Sequence, residues 1–299
     1  MTQIYQRYPM KVLTKAVVYS RMIKFLHTIF ALPFALAAVV LVHRESPVDV
    51  YTVFWIIVAM VGARSAAMGF NRIVDAYIDA KNPRTASREI PAGTISRGEA
   101  SVFVISSSLF FILSAAMLSS LCFWLSFPVL AVMFTYSYTK RFTWLNHIVL
   151  GCAIGMAPMA VWVAVTGTLS GNIMTLSLAL ATYIAGFDIL YACQDAEFDT
   201  REGLYSIPSR FGIATAMRIA AVLHGISIIS LFVLYWLFPL SPAYLVFVGI
   251  ITVLFVIEHR LVNPHDLSKI DMAFFHVNSI ISVLVFLAII SGKMLIGVI

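Results

Sequence analysis

Residues 20–42 read SRMIKFLHTIFALPFALAAVVLV, and the stretch from Phe25 onward contains no Asp, Glu, Lys or Arg. A helix rising about 1.5 Å per residue over a run of this length crosses the roughly 30 Å hydrocarbon core of a bilayer. No signal-peptide cleavage site follows the run, so it is expected to stay in the protein as a span. The rest of the chain repeats the pattern. Further apolar runs at about 50–72, 99–119, 121–138, 147–166, 173–195, 213–237, 243–261 and 270–291 bring the expected helices to nine. Their hydrophobicity is unbroken between Pro/Gly/Ser-rich interruptions and does not alternate, which selects helices over barrel strands. The expected fold is all-α: a polytopic membrane bundle of about nine transmembrane helices, one domain over 1–299.

Composition agrees. The chain has 299 residues, of which 61% are hydrophobic and only 11% charged, whereas a soluble domain is nearer half apolar and about a quarter charged. Lipid is the natural solvent for such a surface. The net charge of +6 is distributed between apolar runs and is not grouped with aromatic residues, so no nucleic-acid partner is expected. Cys122, Cys152 and Cys193 lie in or beside apolar runs without CxxC spacing, and read as buried small hydrophobes.

The charges also give sidedness. With nine helices and a cytoplasmic N-terminus, one side collects Arg7, Lys11, Lys15, Arg21, Lys24, Arg72, Lys81, Arg84, Arg88, Arg97, Lys140, Arg141, Arg201, Arg210, Arg218, Arg260 and Lys269. The opposite side keeps Arg44 and Lys293, and Arg64 stays inside the second helix. One missed helix would scramble this asymmetry. In the first long basic loop, Ser96 and Glu99 have capping-box spacing and would open the third helix.

Two segments carry the chemistry. The first, residues 63–93, is ARSAAMGFNRIVDAYIDAKNPRTASREIPAG. Arg64, Asn71, Asp75 and Asp79 follow one another at intervals of seven, four and four, so at about 100° per residue they share one stripe of a helix. Charged groups are expensive inside a span, and two acids one turn apart also repel. Asn and Asp oxygens are hard ligands of the kind Mg²⁺ prefers. The second segment, residues 187–212, is FDILYACQDAEFDTREGLYSIPSRFG. Asp188, Tyr191, Asp195 and Asp199 step along one face, and Asp195/Asp199 repeat the acid pair of Asp75/Asp79 on the same expected side of the membrane. Two acid stripes at helix ends, each followed by a basic loop, suit a metal-held diphosphate whose remaining charge is met by Arg and Lys.

The chain resembles the UbiA superfamily of intramembrane prenyltransferases, whose signatures NDxxDxxxD and DxxxD stand here as NRIVDAYID (71–79) and DAEFD (195–199). RTASREIPAG (84–93), YTKRFT (138–143) and LGCAIGMAPMAVW (150–162) resemble the branch that prenylates aromatic acids for ubiquinone and menaquinone, including the futalosine-route enzyme. One departure matters. Arg72 stands where the signature has Asp, which removes a carboxylate and adds a cation near the metal site.

The resemblance implies that Asn71, Asp75, Asp79, Asp195 and Asp199 hold Mg²⁺ and through it a polyprenyl diphosphate, whose allylic group passes to an aromatic acid such as 4-hydroxybenzoate or a dihydroxynaphthoate. Lys140 and Arg141, beside Tyr136 and Tyr138, resemble the diphosphate clamp, with positive-inside anchoring as the plainer alternative. Arg84, Arg88 and Arg201 are further candidate phosphate partners. Arg64 needs an anionic partner, which is Asp188, the acceptor's carboxylate or the diphosphate. Asp188 is placed to orient or deprotonate the acceptor, and Tyr191 to meet the diphosphate or the ring. His27, His147, His224 and His276 share no metal-ligand spacing and read as core or interfacial residues. Gly151 and Gly155 suit close helix packing. The lipid-soluble tail explains a site in a bacterial inner-membrane bundle, opening to the cytoplasm.

Competing readings are a secondary transporter with an intramembrane acidic ion site, a magnesium-dependent transferase acting on nucleotide-linked alcohols, and a haem, chlorophyll or lipid-ether prenyltransferase. Acids clustered at helix ends on one face suit a one-sided site better than alternating access.

Overall fold

The computed structural model describes residues 12–43 and 45–294. Of the residues weighed for sidedness, Arg7, Lys11 and Arg44 lie outside them. Among the described residues, nine helical segments are long and apolar enough to cross a membrane. In chain order the described elements are α1 (Val12–Met22), a 3-10 segment Phe25–Phe30, α2 (Leu32–Val42), α3 (Val50–Lys81), α4 (Arg97–Leu118), α5 (Ser120–Thr139), α6 (Asn146–Gly155), α7 (Ala157–Thr166), α8 (Gly171–Ala192), a 3-10 turn Cys193–Asp195, α9 (Ala196–Arg201), α10 (Ile207–Phe211), α11 (Ile213–Leu237), α12 (Ala243–Leu261), α13 (Ile270–Met272), a π turn Ala273–Val277 and α14 (Asn278–Met294), of which α1 and α10 lie outside the spans. The chain is an integral membrane protein.

Five expected helices differ from those observed; the sixth and ninth are interrupted by the 3-10 turn Cys193–Asp195 and the π turn Ala273–Val277, and three others change as follows. The first run is divided: Lys24 takes a left-handed conformation (φ 47°), so α1 ends before the span, and Pro33 near the start of α2 occupies a position where its missing N–H costs nothing. The second helix continues to Lys81, nine residues beyond the expected end, because Asp75, Asp79 and Lys81 find partners at its tip. The fifth span is split at Met156 by Pro158, which cannot donate the hydrogen bond a continuous helix needs. Ser96 and Glu99 form the expected capping box.

The bundle closes around α8. Within its apolar window 61% of residues are buried, against 17% for α5, so α8 is central and α5 peripheral. On α4 the side chains of Val102, Ile105, Leu109 and Phe110 are exposed, an apolar face suited to lipid. α6 packs close to α8 because its contact face is glycine: a Cβ at Gly151 would lie 2.3 Å from the Ala181 carbonyl oxygen, and one at Gly155 2.6 Å from the Ala181 Cβ. The sequence positions run oppositely, Gly155 meeting Ser177 and Ala181, Gly151 meeting Ala181 and Ala185. The helices are therefore antiparallel there, and the start of α6 points at the later turns of α8. Gly186 makes room for His224, whose ring carbon would be 2.3 Å from an added Cβ.

Gly151→Val should destabilise the detergent-solubilised protein by about 1–3 kcal/mol through overpacking. Gly225→Ala, where nothing lies within 4 Å of the new Cβ, should leave the melting temperature unchanged or raised. Equal thermal melts for Gly151→Val and the parent would refute this account of the α6–α8 contact.

Candidate active site

The tip of α3 carries the first acid pair. Asp75 and Asp79 are buried, at 3% and 4% exposure, and Asn71 Nδ2 donates to Asp75 Oδ2 at 3.1 Å. The helix stops at Asn82, which turns extended and sends its side chain across the bundle, Nδ2 donating to Asp195 Oδ1 at 2.8 Å. The Thr85 hydroxyl donates to the Asp79 carbonyl at 3.1 Å, fixing the loop under the helix end.

The second acid pair sits on a change of helix type. α8 ends at Ala192, Cys193–Asp195 make one 3-10 turn, and α9 begins at Ala196. Asp188 and Tyr191 therefore project from α8, Asp195 from the junction and Asp199 from α9. All four line one cavity with Asn71, Asp75 and Asp79. The two tips, more than a hundred residues apart in the chain, lie at the same end of the bundle, and Lys81 adds a 2.6 Å bond to Glu202 there.

Buried carboxylates need counter-charges, and basic side chains supply them. Lys140 Nζ donates to Asp75 Oδ2 at 2.6 Å. Arg141 approaches Asp75 at 3.4 Å while donating to the Val74 carbonyl at 2.9 Å. Arg88 Nη1 meets both oxygens of Asp79 at 2.7 and 2.8 Å. Arg84 grips Asp195 with two nitrogens, its Nε at 2.9 Å, and donates to the Tyr191 hydroxyl at 2.9 Å. Burial opposes the charge on Arg84, but the Asp195 contacts outweigh it and raise the guanidinium pKa. Asp199 has no ion pair among the described residues.

Lys24, with its Nζ 5.5 Å from the Tyr191 ring centre, is pushed down to about 8 by burial and by Arg72, Arg88 and Arg84. Arg72, Arg88 and Arg84 thus stand near enough to Lys24 to add to the effect of its burial.

The cavity encloses about 160 Å³, space for several waters or a small polar head group. Besides the acids, its wall includes Lys140, Arg84, Arg88 and Tyr136. Three candidates lie outside the lining. Arg141 works from behind Asp75. Arg201 is exposed, with its guanidinium 5.6 Å from the Phe198 ring centre. Arg64 lies two turns deeper on α3, where its Nε is buried with no hydrogen-bond partner. An Arg64–Asp188 ion pair does not form; Asp188 instead meets His147 at 2.6 Å.

Arg72 is buried, and its Nε donates to the Met22 carbonyl at 2.9 Å. It stands about 100° around the helix from Asn71, so the departure from the signature adds no cation to the cavity lining.

Sequence reasoning missed Asn82, Thr85, Asn146, His147 and Ser206, which complete the wall. His147 in particular was expected in the core or at the interface. Its partner is 41 residues away, and spacing within one helix gives no sign of it.

Among the described residues no group of three His, Cys, Asp or Glu side chains is gathered tightly enough to hold a metal ion. The donor chemistry nonetheless fits a hard cation. Four aspartates and an asparagine offer only oxygen ligands, and all border one space. Three of the aspartates are drawn toward Lys and Arg instead of toward each other.

The chain is similar to the 4-hydroxybenzoate octaprenyltransferases of Yersinia pseudotuberculosis and Yersinia enterocolitica, at 29% and 28% identity over 226 residues, 76% of this chain and 78% of theirs. The structure of a UbiA homolog from Aeropyrum pernix matches with a TM-score of 0.76 and 28% identity, covering 90% of this chain and 97% of that one. A UbiA homolog from Archaeoglobus fulgidus bound to GPP and Mg²⁺ shares the fold, at a TM-score of 0.71 and 18% identity over 91% of this chain and 99% of that one. The model of the UbiA prenyltransferase family matches residues 31–280, and with two acid-bearing helix tips on one cavity inside a nine-span bundle, this chain belongs to that family and is a prenyltransferase.

Proposed function

We propose that this enzyme transfers a polyprenyl group from its diphosphate to a ring carbon of a phenolic aromatic acid, with Mg²⁺, in quinone biosynthesis. The observation carrying the reading is the meeting of Asp75, Asp79, Asp195 and Asp199 with Lys140, Arg84 and Arg88 around one buried space. Relatives named for a 4-hydroxybenzoate acceptor support the phenolic acid, and a GPP- and Mg²⁺-bound homolog supports the donor and the metal.

On this reading the four aspartates with Asn71 would hold Mg²⁺, which when bound supplies positive charge to the leaving diphosphate. Lys140, Arg84 and Arg88 border the same space and take up phosphate oxygens, Arg in the forked geometry that suits them. Tyr191 and Tyr136 bound the reacting end, where water is scarce and each charge contact is strengthened. The acceptor lies deeper, its carboxylate on Arg64, which is otherwise left without an ion pair among the described residues. The excess of Lys and Arg in the loops at this end supports a cytoplasmic orientation in a bacterial inner membrane, with the polar substrates arriving from water and the tail from lipid.

The reading is tested by incubating purified protein with a polyprenyl diphosphate, Mg²⁺ and 4-hydroxybenzoate or a dihydroxynaphthoate. Prenylated acid should form, chelation should abolish it, and Mg²⁺ should restore it. Asp75→Ala and Asp195→Ala should each lower kcat at least about a hundredfold, or near 2.7 kcal/mol; full turnover in both would overturn the assignment.

Arg64→Leu should raise the KM of the acid about 10–100-fold, the loss of a charge-assisted contact, and leave the KM of the diphosphate unchanged. A change confined to the diphosphate would place Arg64 elsewhere in the reaction.

Arg72→Asp restores the family signature but should not tighten Mg²⁺ dependence, since that side chain points at Met22. It should instead lower stability by about 1–3 kcal/mol for the buried group left unpaired, read by thermal melts beside a Mg²⁺ titration.

A further inference from the structure

Asp188 differs from the other aspartates bonded across the cavity. Asp75, Asp79 and Asp195 each meet a Lys or Arg, whereas Asp188 meets the imidazole of His147, Nδ1 to Oδ2 at 2.6 Å. The two partners are unequally exposed. Asp188 retains 22% of its side-chain surface and His147 only 3%, so of two residues that both border the cavity the carboxylate is the more open and the imidazole the more enclosed.

The placement follows from the α6–α8 packing. Gly155 rests on Ser177 and Ala181, Gly151 on Ala181 and Ala185. One further turn back along α6 is His147, and the matching step along α8 reaches Asp188. Glycine at both contacts sets the approach that brings the ring onto the carboxylate.

The far side of the ring bears on its tautomer. His147 Nε2 is enclosed and has no hydrogen-bond partner. A proton on that nitrogen alone would go unmet and leave Asp188 without a donor, so the tautomer that fits the geometry carries its proton on Nδ1, toward Asp188 Oδ2. A guanidinium fork can occupy both carboxylate oxygens; a single imidazole N–H aims one and leaves the other open to the acceptor.

We propose that His147 is a positioning residue that holds Asp188, as a carboxylate, against the phenolic hydroxyl of the acceptor; this rests on the function proposed above. The allylic C–O bond of the donor breaks and its electron pair leaves with the diphosphate. The ring carbon ortho to the hydroxyl bonds to the allylic carbon while the O–H proton passes to Asp188, giving a neutral dienone. Loss of the proton from that ring carbon and return of the Asp188 proton to oxygen restore the phenol. The net products are the prenylated acid, diphosphate and one proton.

His147→Leu and His147→Asn separate this role from packing, because Asn Nδ2 stands at the position of the imidazole Nδ1 and still donates to Asp188, and Leu does not. With 4-hydroxybenzoate, His147→Leu should lose about a hundredfold in kcat with the KM for polyprenyl diphosphate unchanged, and His147→Asn should stay within about fivefold. With 3-fluoro-4-hydroxybenzoate, whose phenol is more acidic and which keeps one ortho carbon free, the deficit of His147→Leu relative to the parent should shrink about tenfold or more. Retained thermal stabilisation by Mg²⁺ with an unreactive polyprenyl thiolodiphosphate would certify the folded donor site. The proposal fails if Leu and Asn behave alike, if the loss falls on the diphosphate KM, or if acceptor acidity does not change the deficit. If the unaltered enzyme prenylates no phenolic acid, the proposed function itself fails and this role with it.

Discussion

Neutralisation of buried aspartates by side chains from outside their own helices is the constraint on which the rest of the site depends. Asp75 and Asp79 sit at 3% and 4% exposure, where an unpaired carboxylate would cost several kcal/mol. Lys140 reaches Asp75 from the end of α5, and Arg88 reaches Asp79 from the loop beyond α3. Arg84 and Asn82 carry the same logic to Asp195. The Lys140–Asp75, Arg84–Asp195 and Asn82–Asp195 contacts join chain-distant segments and fix the two helix tips to their surroundings, while Arg88 folds the following loop back onto Asp79.

The apolar bundle supplies the frame, and glycine sets its tightest dimension. Gly151 and Gly155 let α6 approach the α8 backbone, where an added Cβ would lie 2.3 Å from a carbonyl oxygen. In lipid there is little hydrophobic gain from bringing two apolar helices together, so such close packing is itself a main source of association. The same contact sets the height at which His147 meets Asp188. Packing in the membrane core and polar geometry at its edge are thus one register read at two depths.

Much of this was legible in the sequence, for identifiable reasons. Length and apolarity of the runs disclosed nine spans because lipid allows few alternatives to a helix, and the bounds at 213–237 and 243–261 agree with α11 and α12. The acid stripes were legible because helical spacing puts Asn71, Asp75 and Asp79 on one face. The start of α3 was legible too, at Val50, but its end was not: the apolar run stops near Arg72, whereas the helix continues to Lys81, where Asp75, Asp79 and Lys81 are all paired. The break at Lys24 left no mark in an otherwise continuous apolar stretch. Arg72 was half legible, since its position about 100° from Asn71 already turns it off the ligand stripe. His147 was hidden, because only the fold brings it to Asp188.

Charge counting at the cavity explains why donor and metal belong together on the proposed reading. Asp75, Asp79, Asp188, Asp195 and Asp199 are set against Lys140, Arg84 and Arg88 in the lining and Arg141 behind Asp75, five acids against four bases, so the protein groups by themselves are within one negative charge of balance. A diphosphate alone would leave a surplus of negative charge in a poorly solvated space, and Mg²⁺ alone a surplus of positive charge; either is costly there. Together they largely cancel. The basic side chains can then turn from carboxylate to phosphate and the carboxylates from base to metal, exchanging partners without stranding a charge. An ion-paired cavity is in this sense a resting form of the same site, with protein cations standing where the metal acts and protein carboxylates standing where the diphosphate binds.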